Sequence, residues 1–192
     1  SMFCEKKVAQ MAAYLLLKSG GRMAYLKLMK LLYLSDREYL IKYGDLMSGD
    51  KFYSMKLGPI LSETLNLMRN INKVGGDEWA KFISSKGNDV LLQPGFGERF
   101  EWEEELGELS RADVKTLDSV FDKYGHYYKF DLANLTHLKE VCPEWRDPGK
   151  SRLPIYTKDI LLYSGKSELE AENILKNMRE SELLKGFSAQ LT

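Results

Sequence analysis

Cysteine is nearly absent from this chain. Cys4 and Cys142 are the only two in 192 residues, too few for a disulfide framework, and they point to a reducing, cytoplasmic setting. Histidine is equally scarce, with only His126 and His137. Zinc needs about three or four ligands, and no CxxC or HExxH spacing is present, so no metal is expected. No uninterrupted apolar run approaches the ~20 residues of a membrane-spanning helix. The N-terminus lacks a signal-peptide pattern, and Ser1 ahead of Met2 reads as a cloning remnant. Net charge is absent too, at 28 basic and 28 acidic residues, whereas a dedicated nucleic-acid binder carries a basic excess.

Catalytic signatures are missing as well. Cys142 and His137 could form a nucleophile–base pair, but they lie five residues apart across a helix end with no third orienting group. Gly95-Phe96-Gly97 lacks the Gly-Lys-Ser/Thr that completes a phosphate loop. No pair of carboxylates is singled out by its spacing. The expectation is a protein that is not an enzyme and needs no cofactor.

What is present is an ordinary globular composition, 44% hydrophobic. A chain of this length buries roughly 70% of its unfolded surface and folds without staples. Residues 1–60 carry ten Lys/Arg against five Asp/Glu, while Glu98–Glu108 carries six acids and one Arg. Such runs form charged faces, most of them simply solvated.

Hydrophobic periodicity predicts a helix over 4–18, stopped by Ser19-Gly20-Gly21, and a second from Ala24 to Tyr43, ended by Gly44. Lys51–Met55 reads as an extended segment. Gly58-Pro59 is expected to open a third helix over 60–71, with Pro in the first turn, where no amide partner is needed. Ala80–Ser85 and Asp89–Gln93 flank Lys86-Gly87-Asn88 and predict a β-hairpin. Pro94–Gly107 reads as an acidic loop. Ser110-Arg-Ala-Asp has the form of a capping box and starts a helix to Tyr124. Further helices are expected over 131–138, 157–163 and 167–185, with a structured loop over 142–154 and a fraying tail. The fold class is α+β and mostly α: one helical domain over 4–165 with a small antiparallel hairpin or sheet, then a C-terminal helix and tail over 166–192.

LKLMKLLYLSDREYL, GDKFYSMKLGPI, VFDKYG and LTHLKEVCPEW follow one another in an order that resembles the Panacea domain of SocA-like antitoxins, from bacterial and phage toxin–antitoxin pairs. The resemblance covers residues 8–165. The last motif departs from the family pattern, since Glu144 separates Pro143 from Trp145. The resemblance implies a protein that binds and neutralises a toxin encoded beside it. It does not identify the toxin, and the sequence leaves self-association open.

Winding residues 24–43 at ~100° per residue gathers Lys27, Lys30, Arg37 and Glu38 into one sector, shared with Leu34 and Ile41. Leu28, Met29, Leu32, Tyr33, Tyr39 and Leu40 cover nearly all the rest. A helix this apolar is a central one with one wet edge. Leu28, Leu32, Tyr33 and Tyr39 are expected to be buried, and Leu34 and Ile41 to be exposed among the charges. Asp36 falls on the apolar side and therefore needs fixed partners. These could be backbone amides or a tyrosine hydroxyl, or a polar site under the Gly-Pro turn or with His137.

The polar and aromatic excess within the three densest motifs supplies the candidate partner-binding residues. Arg37, Tyr53 and Trp145 are the residue types that anchor interfaces, and Lys27, Lys30 and Lys56 would form the rim. A reading from another class is a DNA-binding regulator of winged-helix form. No helix carries the row of Arg, Lys, Asn and Gln that recognition of a groove requires.

Overall fold

The computed structural model of the chain describes residues 2–69, 77–95 and 105–191, with side chains through residue 188. Helix α1 (Glu5–Lys18) buries Val8, Met11, Ala12, Leu15 and Leu16, the periodic set of the sequence. It leads through strand β1 (Arg22–Ala24) into α2 (Tyr25–Tyr43), which ends on Gly44 in the left-handed conformation, φ 70°. Next come β2 (Phe52–Met55), β3 (Gly58–Leu61), α3 (Ser62–Arg69), α4 (Asp77–Phe82), β4 (Ile83–Lys86) and β5 (Asp89–Leu92). Then follow α5 (Arg111–Tyr124), α6 (Lys129–Leu135), β6 (Leu153–Ile155), α7 (Thr157–Tyr163) and α8 (Glu168–Leu191). The fold is a mostly helical α+β arrangement.

Two antiparallel three-stranded sheets flank the helices, in the orders β1-β5-β4 and β3-β2-β6. Helix α2 is central and packs against α1, α5, α6, α7 and β3. Leu28, Leu32 and Tyr33 are fully buried along it.

Several expectations are corrected. The third helix does not start at Ile60, because Gly58-Pro59-Ile60-Leu61 pairs with Phe52–Met55 as a strand and the helix begins at Ser62. Pro59 is tolerated there because β3 lies at a sheet edge. Ala80–Phe82 closes α4 instead of opening the hairpin, which spans 83–92. Leu153–Ile155 forms the other edge of the β2 sheet where a loop was expected. Helix α6 starts and stops a few residues earlier than 131–138, and α8 runs past residue 185. Residues 70 and 71, and most of the acidic stretch 94–107, lie outside the described residues.

Carboxylates fasten the elements to one another. The capping box of α5 is complete: Ser110 Oγ accepts the Asp113 N–H at 3.1 Å, and Asp113 accepts the Ser110 N–H at 2.8 Å. Glu5, on α1, accepts the Glu78 and Trp79 amides at 2.9 and 3.1 Å and so caps α4. Asp50 caps α3 through the Glu63 and Thr64 amides, both at 2.9 Å. Each cap satisfies donors that a helix start leaves without intrahelical partners.

Candidate functional site

The three motif segments of α2, β2–β3 and residues 136–145 meet on one wall of the molecule. Lys30 Nζ donates to the Pro59 carbonyl at 2.9 Å. Tyr33 Oη donates to Glu144 at 2.7 Å, and Arg37 Nε donates to the same carboxylate at 2.9 Å. Trp145 Nε1 donates to the Met55 carbonyl at 2.8 Å, and the Arg146 amide to Ser54 Oγ at 3.2 Å. The His137 ring stacks on Trp145 at 4.2 Å. Thr136 and Lys30 sit directly against Gly58, φ +117°, where an added Cβ would lie 3.0 Å from Lys30 Cε. Only glycine lets the turn approach this closely.

Burial sets the electrostatics. The Lys30 side chain is fully buried, and desolvation draws its amine from 10.5 down to about 7. The expectation that it belongs to a wet edge is therefore corrected: β3 lies across that sector of α2 and encloses it. Leu34, expected to be exposed beside it, is 3% exposed and belongs to the core. Tyr39, expected in the core, is half-buried against Tyr43. Burial also pushes the Cys142 thiol well above its usual range, with the Glu144 charge adding to it. A thiol held protonated in this way is a poor nucleophile.

Asp36 is fully buried. Its carboxylate accepts the amides of Met47 and Ser48 at 2.8 and 3.0 Å and the hydroxyl of Ser48. Ser48 Oγ in turn accepts the Asp50 amide at 3.1 Å. The polar partners of Asp36 thus lie in the 47–48 loop, neither under the Gly-Pro turn nor at His137. Desolvation raises Asp36 from 3.8 to about 6 despite these bonds. His137 is half-buried instead of enclosed, and its Nε2 is buried without a hydrogen-bond partner among the described residues. Desolvation, with the Lys30 charge behind it, lowers the imidazole below its ordinary value.

The candidate binding residues fall into two groups. Arg37 is held by Glu144, Trp145 by Met55, and Lys27 by the Gly125 carbonyl at 2.5 Å. Tyr53 is half-buried under the Arg152 guanidinium, 4.2 Å from its ring centre. Lys56 alone of the six is exposed outright, at the β2–β3 turn.

The outer face of this wall holds residues the sequence did not single out. Leu57 follows Lys56 and is 52% exposed, with Tyr128 and Phe130 at 59% and 48%. Leu57 stands between two hollows. One is shared with Tyr25, Leu26, Met55, Ile60 and Leu65, the other with Ala24, Lys129 and Phe130. A clue lay in the run Tyr127-Tyr128-Lys129-Phe130, whose aromatics are too close together for one buried helix face.

Among the described residues no helix is long and apolar enough to cross a membrane, and no group of acidic, His or Cys side chains is placed to hold a metal ion. No curated protein matches the chain, and no solved structure does. The family model of the antitoxin SocA-like, Panacea domain matches residues 28–146, which spans all three converging segments. That match covers more than half of the 192 residues, and the chain belongs to this antitoxin family.

Proposed function

We propose that the protein neutralises a protein toxin by direct, stoichiometric contact in the cytoplasm, with no cofactor. The toxin would be the product of a neighbouring reading frame. The carrying observation is that the family's motif segments build one wall on which Lys56 and Leu57 are exposed, and that Leu57 shares a hollow with Lys129 and Phe130 at the start of α6, with exposed Tyr128 against Phe130. Monomeric surfaces seldom gather large apolar side chains in this way without a partner. The inner face of the wall fixes the backbone through Lys30–Pro59, Trp145–Met55 and Tyr33–Glu144, so the outer face is presented with little entropy left to lose.

The mixed apolar and cationic character of this face favours a protein partner over a nucleic-acid backbone, which calls for a continuous cationic track. Arg37 and Trp145 act in this reading as supports of the face, while Lys56 and Tyr53 remain within reach of a partner.

The test is co-expression with the neighbouring frame. Rescue of growth together with co-elution of the two chains in fixed ratio is expected. Rescue without a complex, or no rescue, refutes direct neutralisation.

A further inference from the structure

The hollow between the start of α2, the β2–β3 turn and α3 has a volume of about 240 Å³. Its walls are apolar, lined by Met29, Met55, Ile60 and Leu65 among others. Lys30, Lys56 and Arg69 border it, and among the described residues no acidic one does. Lys56 and Arg69 are exposed at its edge. Lys30 lies behind the floor, fully buried, bonded to the Pro59 carbonyl and with no carboxylate partner among the described residues. Burial without an anion favours its neutral form, which is why its amine is drawn down.

Size narrows the occupant. Sites for whole small-molecule ligands span about 300–1,000 Å³. This hollow lies just under the small end of that range and has room for a single large apolar side chain. Charge narrows it further, since Lys56 and Arg69 at its edge, with no acid among the described residues lining it, complement a carboxylate next to that side chain. The second hollow across Leu57 repeats the chemistry, pairing Phe130 and Leu26 with Lys129.

We propose that the hollow behind Leu57 receives a segment of the protein partner in which a large apolar residue stands beside an acidic one. The apolar side chain enters between Met55 and Leu65, and the carboxylate lies over Lys56 and Arg69, in the field of Lys30. The proposal rests on the reading of this domain as a toxin-binding module and adds the chemistry of what it recognises. It accounts for why Leu57 is exposed between two hollows.

The test uses the full chain and a phage-displayed library of random 12-residue peptides. Enrichment of peptides with Leu, Ile, Met or Phe next to Asp or Glu is expected. A selected peptide should lose at least tenfold in affinity against Leu57→Glu and against Lys56→Glu with Arg69→Glu, and equally when its acid is amidated. These side chains are exposed, so the variants are expected to keep the circular dichroism and urea midpoint of the parent. Random enrichment overturns the proposal, as does equal binding of the variants or of the amidated peptide. A free carboxylate such as octanoate that competes fully for the site would show a small-molecule pocket and overturn it too.

Growth rescue separates the two readings. If the parent rescues growth and Leu57→Glu rescues equally well, the pocket assignment falls and neutralisation stands. If the parent fails to rescue while peptide selection succeeds, neutralisation falls and the recognition chemistry stands.

Discussion

Tyr33 donates its phenolic proton to Glu144 across 111 residues of chain, at 2.7 Å. One turn further along α2, Arg37 grips the same carboxylate, whose side chain is 0% exposed. Two remote groups on one helix thus satisfy one buried charge, and Glu144 becomes the bolt that holds residues 142–146 to α2.

Removing that bolt orphans both donors. Glu144→Ala is expected to lose about 3–5 kcal/mol in urea unfolding, the range for breaking a buried pair on one side. Glu144→Leu combined with Arg37→Met should lose less than the two single changes added together, since no charge is left stranded. Additive losses would show that the two groups act independently.

Asp36→Ala leaves the Met47 and Ser48 amides without their acceptor and is expected to cost about 1–3 kcal/mol. The pH dependence has a definite sign. The folded-state value of about 6 lies above the ordinary 3.8, so the folded protein binds the proton more tightly. Stability from this group is therefore greatest below about 4 and declines as pH rises to about 6, by up to roughly 1.4 kcal/mol per pH unit. Asp36→Asn should abolish that decline. Parallel stability curves for parent and variant between pH 4 and 6 would refute the assignment.

Lys30 works in the opposite sense over another window. Its folded-state value of about 7 lies below the ordinary 10.5, so the unfolded chain holds more protons between them. Stability should rise with pH above about 7 relative to Lys30→Met, by up to roughly 1.4 kcal/mol per unit. His137 and Cys142 are the titrating neighbours that share its field. The raised thiol of Cys142 pulls the other way at higher pH, so the comparison is cleanest between pH 7 and 8.5. An identical pH slope in Lys30→Met would contradict it.

Leu32 is fully buried at the centre of α2. Leu32→Ala should cost about 2–5 kcal/mol through the cavity it leaves. A loss below ~0.5 kcal/mol would place the helix at the periphery.

Much of this was legible in the sequence, and the failures have physical causes. Helices α1, α2 and α5 carry their own signals, a 3.6-residue apolar period and, for α5, the Ser110–Asp113 box, all local in sequence. Strands β1 and β6 are three residues each, too short to show alternation, and are made by pairing with distant partners. Gly58-Pro59 has the same local chemistry at a helix start and on an edge strand, and only pairing with Ser54 and Met55 decides between them. The winding of α2 put Lys30 in the right sector but could not show that β3 covers it. Asp36 was legible as a buried group because its direction is fixed by the helix, while its partners in the 47–48 loop were not. Glu144 is a single acid in a proline-containing loop, with no period to mark it. Its importance comes from Tyr33 and Arg37, both more than 100 residues away.

That separation also sets a clock. Arg37 must wait for 107 further residues before its carboxylate leaves the ribosome, and Phe52 of β2 waits nearly as long for Ile155 of β6. At about 5–20 residues per second, this interval is roughly 5–20 s for each nascent chain. During that time the central helix α2 stands without its closing segment, exposed to chaperones and proteases. The helical core closes only once Glu144 and β6 have emerged, so a ribosome that stalls before them releases no closed core.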